Sequence, residues 1–226
     1  MKEIVLDTET TGISVKEGHR VVEIGCVELD NLIPTGKKFH CYLNPERKVS
    51  EKAFEVHGYT DEFLSNQKKF SEIGDEFLEF IKDKKLIIHN AEFDLGHLNN
   101  ELSLLGRPNL SNTVIDTVSL ARRTLNTRVA NLDYLCRRFK VDLSERDLHG
   151  ALLDSRLLAE VYLELKGGKQ FSMNLSKNNT ETNKQKNTNK NKMKTVTSFI
   201  PLEADIALHK EMVNEIKQPI WKKYNY

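Results

Sequence analysis

The stretch Ile4–Gly12 reads Ile-Val-Leu-Asp-Thr-Glu-Thr-Thr-Gly, in which three apolar residues lead into two acids, Asp7 and Glu9. Side chains two positions apart on a β-strand point to the same face, so the two carboxylates project together. Burying two like charges is costly unless a cation neutralises them, and oxygen ligands suit Mg²⁺ or Mn²⁺. Taken alone, however, the pair fits two solvated acids at an exposed strand end better than a metal site.

The sequence around this stretch predicts a sheet that begins antiparallel and continues with alternating strands and helices. The segments Ile4–Glu9, Val21–Leu29 and Lys38–Leu43 alternate or are β-branched, and turn residues separate them, which indicates an antiparallel meander. Apolar spacing then predicts strands at 86–88 and 113–116, and helices at 70–81, 90–105 (capped by Asn90), 117–125, 131–139 and 150–165. We therefore expect an α/β three-layer domain with a mixed five-stranded sheet.

Two further acids and a histidine lie at positions where residues of a functional site are expected. Asp94 directly follows the strand at 86–88, and in open α/β sheets binding residues collect where strands end, although a first-turn acid also complements a helix dipole. Asp154 lies in an otherwise apolar helix, where an acid needs a partner, and a metal would be one. His149 precedes that helix, where a lone histidine is more often a capping or internally satisfied residue.

In chain order these residues form three motifs: Asp7-x-Glu9, Asn90-Ala-x-Phe-Asp94 and His149-x-Ala-x-x-Asp154. This arrangement resembles the exonuclease motifs of the DEDDh (DnaQ-like) 3′–5′ exonuclease superfamily, over about residues 2–170. The resemblance implies a ribonuclease-H-like fold and a general base at His149. It also implies two divalent metal ions, Mg²⁺ or Mn²⁺, held by Asp7, Glu9, Asp94 and Asp154.

Closer details are similar to one branch of that superfamily, the proofreading subunits of bacterial replicative DNA polymerases. These details are Asp-Thr-Glu-Thr-Thr-Gly at 7–12, Val-His-Gly at 56–58, and the run at 149–168. The branch implies contacts to the substrate from Lys52, Val56, His57, Asp7, Glu9 and Asp154. Relatives often have Glu where Lys52 stands, which puts a contact to the sugar in doubt, although Glu51 is adjacent. His57 fits a structural histidine in a turn equally well.

Composition excludes several other classes of protein. The chain has 226 residues, 38% of them hydrophobic, which suffices for one sizeable core plus extra segments. The net charge of +1 does not mark a nucleic-acid binder. Three scattered cysteines argue against a disulfide scaffold or zinc ribbon and fit a reducing cytoplasm. No apolar run approaches the ~18 residues of a membrane span, so we expect a cytoplasmic protein without a membrane segment.

The charge is unevenly distributed, and this asymmetry predicts a linker. Residues 176–192 contain no apolar residue, and their five Lys and one Glu give +4, whereas residues 1–175 carry −4. Such a polar stretch cannot repay its ordering entropy, so we expect a disordered linker at 176–194 after an exonuclease domain at 1–168. Between them, residues 169–175 resemble sliding-clamp-binding peptides, with Gln170, Met173 and Leu175 as anchors. Alternatively, this peptide is only the start of the linker.

Hydrophobicity returns in residues 195–226. Pro201 can start a helix, and mostly apolar residues then recur three and four positions apart from Leu202 to Ile220, where Pro219 should end or bend the helix. A single amphipathic helix cannot form a core, so we expect it to fold on a partner or against the main domain. The segment resembles the one by which such subunits dock on the α subunit of DNA polymerase III, with Trp221 at the contact.

These features together predict a proofreading 3′–5′ exonuclease that acts on a frayed single-stranded 3′ end. One alternative is a stand-alone DEDDh exonuclease that acts on RNA or oligonucleotides, which leaves the linker and the apolar tail unexplained. Another is a mainly structural bridge between polymerase and clamp. The intact set of four acids and His149 argues against the bridge.

Overall fold

The computed structural model describes residues 2–168 and 203–215. Five strands form one sheet in the order β3-β2-β1-β4-β5. The strands are β1 (Lys2–Thr10), β2 (Val21–Asp30), β3 (Ile33–Tyr42), β4 (Lys85–Ile88) and β5 (Val114–Asp116). Strands β1, β2 and β3 pair antiparallel, whereas β4 lies parallel to β1 and to β5. The predicted meander and mixed five-stranded sheet are therefore confirmed.

Helices cover both faces of this sheet. Within residues 2–168 they are α1 (Glu51–His57), α2 (Asp61–Ser65), α3 (Phe70–Ile81), α4 (Ala91–Leu104), α5 (Thr117–Leu125), α6 (Leu132–Phe139) and α7 (Ala151–Leu165). Helix α8 (Glu203–Glu215) makes up the second described segment. The predicted helices α3 to α7 are confirmed to within about one residue at each end. Helices α1 and α2 were not predicted, because they are too short to show an apolar stripe. The side chains of Ser50 and Thr60 cap them.

Alternation along β1 separates two hydrophobic clusters, one on each face of the sheet. Ile4 and Leu6 pack in the cluster that includes α3 and α4. Val5 points the other way, into the cluster formed with α5, α6 and α7. Because side chains alternate, Asp7 and Glu9 continue the face of Val5 and point toward the α7 layer. The strand register therefore decides which helix can share a site with the two acids.

Helix α7 lies directly on the backbone of β2. A Cβ atom added at Gly25 would lie 2.2 Å from the carbonyl carbon of Ala151, so no larger residue fits there without moving the helix. The Ser155 hydroxyl donates to the Gly25 carbonyl oxygen at 2.8 Å. This close approach holds the first turn of α7 against the centre of the sheet.

Helix α8 lies in the second of the chain's two units. It falls within the segment where an amphipathic helix was predicted. On it Val213 is buried, whereas Leu208 and Met212 are exposed. The predictions for Gln170, Met173, Leu175, Trp221 and the linker at 176–194 lie outside the described residues. Among the helices described, none is long and apolar enough to cross a membrane.

Candidate active site

The first two acids lie at the end of β1. Glu9 is only 8% exposed and Asp7 is partly buried, so the alternative of two solvated acids at an exposed strand end is wrong. Burial raises the pKa of Glu9 to about 8, and the charge of Glu23 adds to this effect. Burial also raises the pKa of Asp7 well above its ordinary value, with Asp94 and Glu9 as the next largest causes.

Asp94 reaches the same site from the opposite layer. It lies in the first turn of α4, is buried, and accepts a hydrogen bond from the Thr8 hydroxyl at 2.7 Å. Burial raises the pKa of Asp94 to about 7, and the hydrogen bond from Thr8 opposes this shift. Asn90 occupies the N-cap position as predicted, but it is left-handed and its side chain makes no capping bond. The start of α4 is held instead by the bond from Thr8 to Asp94 and by the bond from the Asn90 amide to Asp116 at 3.0 Å.

The third motif brings Asp154 and His149 beside Glu9. One ligand atom from each of these three residues lies within 4.8 Å of the other two. Asp154 is buried in the first turn of α7, whereas His149 lies just before the helix with its side chain 47% exposed. The Nδ1 atom of His149 lies 3.3 Å from Oδ2 of Asp154. An exposed imidazole at the rim of a buried acidic cluster can exchange protons with solvent.

Arg146 is the principal site residue that the sequence did not predict. Its guanidinium binds Asp154 through two bonds, Nε to Oδ1 at 2.6 Å and Nη2 to Oδ2 at 2.8 Å. It also contacts Asp133, and its Nη2 lies 3.0 Å from Nδ1 of His149. Arginine was thus the missing partner for the acid in the apolar helix. A lone arginine in the polar loop before His149 shows no pattern that would predict its burial.

This ion pair gives Asp154 an electrostatic state different from that of the other acids. Burial acts to raise its pKa, but hydrogen bonds from Arg146 and His149 outweigh burial and hold the pKa below its ordinary value. Asp154 is therefore ionised at neutral pH. Asp7, Glu9 and Asp94, by contrast, retain protons more readily because nothing of opposite charge offsets their burial to the same extent.

The donor set fits a hard divalent cation. Four carboxylates from β1, α4 and α7 converge with one imidazole on a cavity of about 370 Å³, which is lined by Asp7, Glu9, Asp94, Asp154 and His149 together with Arg146. Carboxylate oxygens are the ligands that Mg²⁺ and Mn²⁺ prefer. A bound ion would offset the burial that raises the pKa values of Asp7, Glu9 and Asp94, and the repulsion that adds to it at Asp7 and Glu9. A soft-metal site is excluded by the lining, which contains no thiol.

A second cavity of about 630 Å³ adjoins the acidic one and contains the remaining residues predicted to contact substrate. Lys52, Val56 and His57 line it, and Glu9, Val56 and Phe93 line both cavities. The His57 ring is buried and its nitrogens face the backbone. Nδ1 accepts from the Tyr59 amide at 3.0 Å, and Nε2 lies 3.3 Å from the Thr10 carbonyl oxygen. The nitrogens therefore serve the structure of the turn, while the residue forms part of the cavity wall.

Comparison with known proteins identifies the family. The model of an exonuclease family (RNase_T) matches residues 4–162. DNA polymerase III subunit epsilon of Rickettsia felis is 48% identical over 222 residues, covering 96% of this chain and 97% of that protein. The chain belongs to the ε-subunit family of DNA polymerase III exonucleases. The resemblance that the three motifs indicated is thereby confirmed.

Other relatives agree with this assignment. The ε subunit of Escherichia coli is 47% identical over 176 residues, which cover 74% of this chain and 72% of that protein. Among solved structures, exonuclease X in complex with 5′-overhanging duplex DNA matches with a TM-score of 0.57 and 22% identity, covering 72% of this chain and 89% of that one. At that identity the likeness supports the fold alone. This member of the ε-subunit family thus carries an exonuclease domain on the predicted ribonuclease-H-like scaffold.

Proposed function

We propose that the chain is the 3′–5′ proofreading exonuclease of a bacterial DNA polymerase III and removes mispaired nucleotides from single-stranded 3′ ends. The observation that carries this proposal is the convergence of four acids and His149 on one cavity that opens into a second, larger one. The first cavity offers hydrolytic chemistry, and the second offers space for a terminal nucleotide. The high similarity to ε subunits supports DNA as substrate.

Hydrolysis of a phosphodiester needs a nucleophile, a proton acceptor and neutralisation of charge on the phosphate. Two divalent ions, Mg²⁺ or Mn²⁺, held by Asp7, Glu9, Asp94 and Asp154 would supply Lewis-acid activation and charge neutralisation. His149 accepts the proton of the attacking water, and its exposed position lets it pass that proton to solvent. Arg146 orients both His149 and Asp154 through its guanidinium.

The larger cavity accounts for recognition of a 3′-terminal nucleotide without preference for one base. Val56 and Phe93 offer apolar surface to a base or sugar, and such contacts tolerate any base. Lys52 lies on the exposed face of α1 and can approach a phosphate as a point charge. A frayed end can enter this pocket, whereas a paired end must first be melted. Preference for mispaired ends then follows from the lower cost of unpairing them.

We further propose how the chain is organised for its partners. Residues 1–168 form the exonuclease domain, 169–175 the clamp-binding peptide with Gln170, Met173 and Leu175, and 176–194 the flexible linker. Residues 195–226, with Trp221 at the contact, dock on the α subunit of the polymerase. The amphipathic spacing of the tail and the polar composition of 176–192 support this arrangement.

The proposal is tested with a 5′-labelled DNA primer annealed to a template with either a matched or a mismatched 3′ end. With Mg²⁺ or Mn²⁺ we expect a ladder that shortens from the 3′ end, faster for the mismatch. Asp7→Ala and Asp154→Ala should abolish the ladder while circular dichroism remains that of the folded protein. Faster digestion of an RNA strand of the same sequence would favour the stand-alone ribonuclease. Unchanged activity of either variant would contradict the metal assignment.

A further inference from the structure

Glu23 is a buried acid outside the motifs, and the strand register places it beside them. Across the antiparallel pair of β1 and β2, Glu23 is the partner of Glu9, and Gly25 is the partner of Asp7. Cross-strand partners point to the same face of a sheet, so Glu23 faces the α7 layer together with the two acids. Its residue surface is 2% exposed. A carboxylate at this depth requires several hydrogen-bond donors to be tolerated.

Three elements supply those donors. Oε2 of Glu23 accepts from the backbone N–H of Ala151 at 2.8 Å and from the Tyr59 hydroxyl at 2.7 Å. Oε1 lies 2.7 Å from Nε2 of His40 on β3. The carboxylate therefore ties the start of α7 and the turn after α1 to the central part of the sheet. Neither Tyr59 nor His40 belongs to the motifs that bind metal or substrate in the proposed function.

The bond to Ala151 acts as a helix cap supplied from a neighbouring strand. Ala151 is the first residue of α7, and the first amides of a helix have no partner within the helix. The N-cap residue is Gly150, which has no side chain to cap them. Glu23 takes this role, and its negative charge is favourable at the positive end of the helix dipole. The capped residue, Ala151, lies between His149 and Asp154 in the chain.

The bond from Tyr59 links Glu23 to the wall of the larger cavity. The rings of Tyr59 and His57 are stacked with centroids 4.7 Å apart, and His57 lines that cavity. The two regions are also joined directly, because the His149 amide donates to the Val56 carbonyl oxygen at 3.0 Å. The Glu23 carboxylate is therefore bonded both to the helix start that lies between His149 and Asp154 and to the Tyr59 ring that stacks on His57.

We propose that Glu23 is a positioning residue that sets the first turn of α7, and with it His149 and Asp154, against Asp7 and Glu9 on β1. This inference rests on the proposed function. Loss of the acceptor should leave three donors without their partner and let the start of α7 move. Displacements of about 1 Å in a catalytic arrangement can lower the rate ~10²-fold.

The test compares Glu23→Met, which keeps the size of the side chain but offers no acceptor, with Glu23→Gln. The carbonyl oxygen of glutamine can still accept from Ala151 and Tyr59, and its amide can face His40. We expect Glu23→Met to lower kcat by ~10²-fold, and Glu23→Gln by less than about threefold. The affinity for Mn²⁺, measured by calorimetry on the full chain, should fall for Glu23→Met and stay near wild type for Glu23→Gln.

Glu28 provides the matched control. It lies on the same strand, is equally buried, and pairs with Lys2 and Lys84 away from the site. Glu28→Met should lower the melting temperature but leave kcat and Mn²⁺ affinity unchanged at temperatures where the protein is folded. Equal losses of kcat and of Mn²⁺ affinity in the Glu23→Met and Glu28→Met variants would reduce Glu23 to a general stability element and overturn the proposal.

Tyr59→Phe keeps the proposal testable if Glu23→Met does not fold, because it removes a single hydroxyl. The variant should raise KM about fivefold and change kcat less than about twofold, since the cap on Ala151 remains. Unchanged KM would overturn the link from Glu23 to the nucleotide pocket. If the wild-type chain itself released no nucleotides from 3′ ends, the proposed function would fail. Wild-type rates in Glu23→Met would instead overturn only the role of Glu23.

Discussion

At the scale of single residues, Glu9 shows how burial makes stability depend on pH. Its pKa rises from 4.5 to about 8 in the folded protein because burial and the charge of Glu23 disfavour the carboxylate. A raised pKa means that the folded state holds the proton more tightly than the unfolded state. Without divalent ions, the contribution of Glu9 to stability is therefore fully present below pH 4.5 and is lost as the pH rises through 8.

We predict that Glu9→Gln stabilises the ion-free protein at alkaline pH. In chelator at pH 8, its melting temperature should exceed that of the wild type by ~5 °C, and the difference should shrink toward pH 4.5. Thermal denaturation followed by circular dichroism across this range measures the effect. Mg²⁺ should reduce the difference, because the ion stabilises only the wild-type carboxylate. A difference that grows as the pH falls would contradict the assigned direction.

The Arg146 ion pair leads to a second prediction. Removing one partner of a buried pair leaves an uncompensated charge and typically costs ~3–5 kcal/mol. Arg146→Ala should therefore lower the melting temperature in chelator by ~6–20 °C. Mg²⁺ should restore part of this loss, since a cation at Asp154 replaces the missing positive charge. Thermal denaturation with and without Mg²⁺ gives both numbers.

Arg107→Ala is the control for that experiment. It breaks the pair with Asp75, whose two side chains are largely exposed, so the loss should be below about 1 kcal/mol. Equal melting temperatures for Arg146→Ala and Arg107→Ala would mean that the pair with Asp154 contributes no more than a surface contact.

The site residues that could be predicted from the sequence belong to motifs, whereas those that could not be predicted do not. The four acids and His149 could be proposed because their spacing forms motifs. Glu23 acts through contacts to segments distant in the chain. Arg146 lies only eight residues from Asp154, but the loop that contains it shows no pattern that predicts this pair. Glu23 did offer one signal, because an acid inside the apolar strand Val21–Asp30 must find partners if the strand is central. Which donors satisfy it depends on the tertiary packing.

At the scale of elements, the contact between β2 and α7 is the most demanding. A methyl group at Gly25 would meet the backbone of Ala151 and Leu152 at 2.2–2.4 Å, and backbone cannot rotate away as a side chain can. Overpacking of this kind costs ~1–3 kcal/mol or more. The helix must shift outward, and Asp154 and His149 shift with it.

We therefore predict that Gly25→Ala lowers both the melting temperature and the rate. The expected changes are ~5–10 °C and at least ~10-fold in kcat, measured by thermal denaturation and by release of nucleotides from a labelled 3′ end. Gly96→Ala on α4 is the comparison, because its methyl group would have only the Val15 side chain at 3.9 Å. That variant should be neutral or slightly stabilising. A Gly25→Ala enzyme with wild-type kcat would show that α7 tolerates displacement.

Most of the elements could be predicted from the sequence because long amphipathic stripes and β-branched runs identify them. The short helices α1 and α2 could not. Their positions depend on single capping residues, Ser50 and Thr60, and on the left-handed Gly58 that ends α1. Such local signals are common in loops and predict a helix only when packing favours it.

At the scale of the whole molecule, charge and connectivity predict that the exonuclease depends on delivery to its substrate. Residues 1–175 carry −4, so positive charges are not in excess over negative ones, and affinity for the phosphates of a long single strand should be weak. If the 17 polar residues 176–192 of the proposed linker behave as a random coil, their r.m.s. span is roughly 20–25 Å. Attachment to the polymerase through such a linker would raise the effective concentration of the exonuclease at the primer end to the mM range.

Deleting residues 195–226 should therefore separate cleavage of DNA from binding to the polymerase. We predict that cleavage of a free oligonucleotide remains intact while co-purification with the polymerase α subunit is lost. Changing Gln170 and Met173 to Ala should weaken only binding to the sliding clamp. Pull-down of each purified partner, with the full chain as reference, measures these effects. Unchanged affinity of the truncated chain for the α subunit would show that docking lies elsewhere.

The parallel pairing of β1 with β4 and the placement of α7 on β2 have a consequence for synthesis of the protein. Asp7 is translated well before Asp154 and the helix that carries it, which come near the end of the exonuclease domain. Bringing the two together closes a loop of almost the whole domain, so this contact forms late. A nascent chain that lacks α7 is therefore expected to have no nuclease activity. Only when α7 has been translated and has folded onto the sheet can the polypeptide degrade nucleic acid.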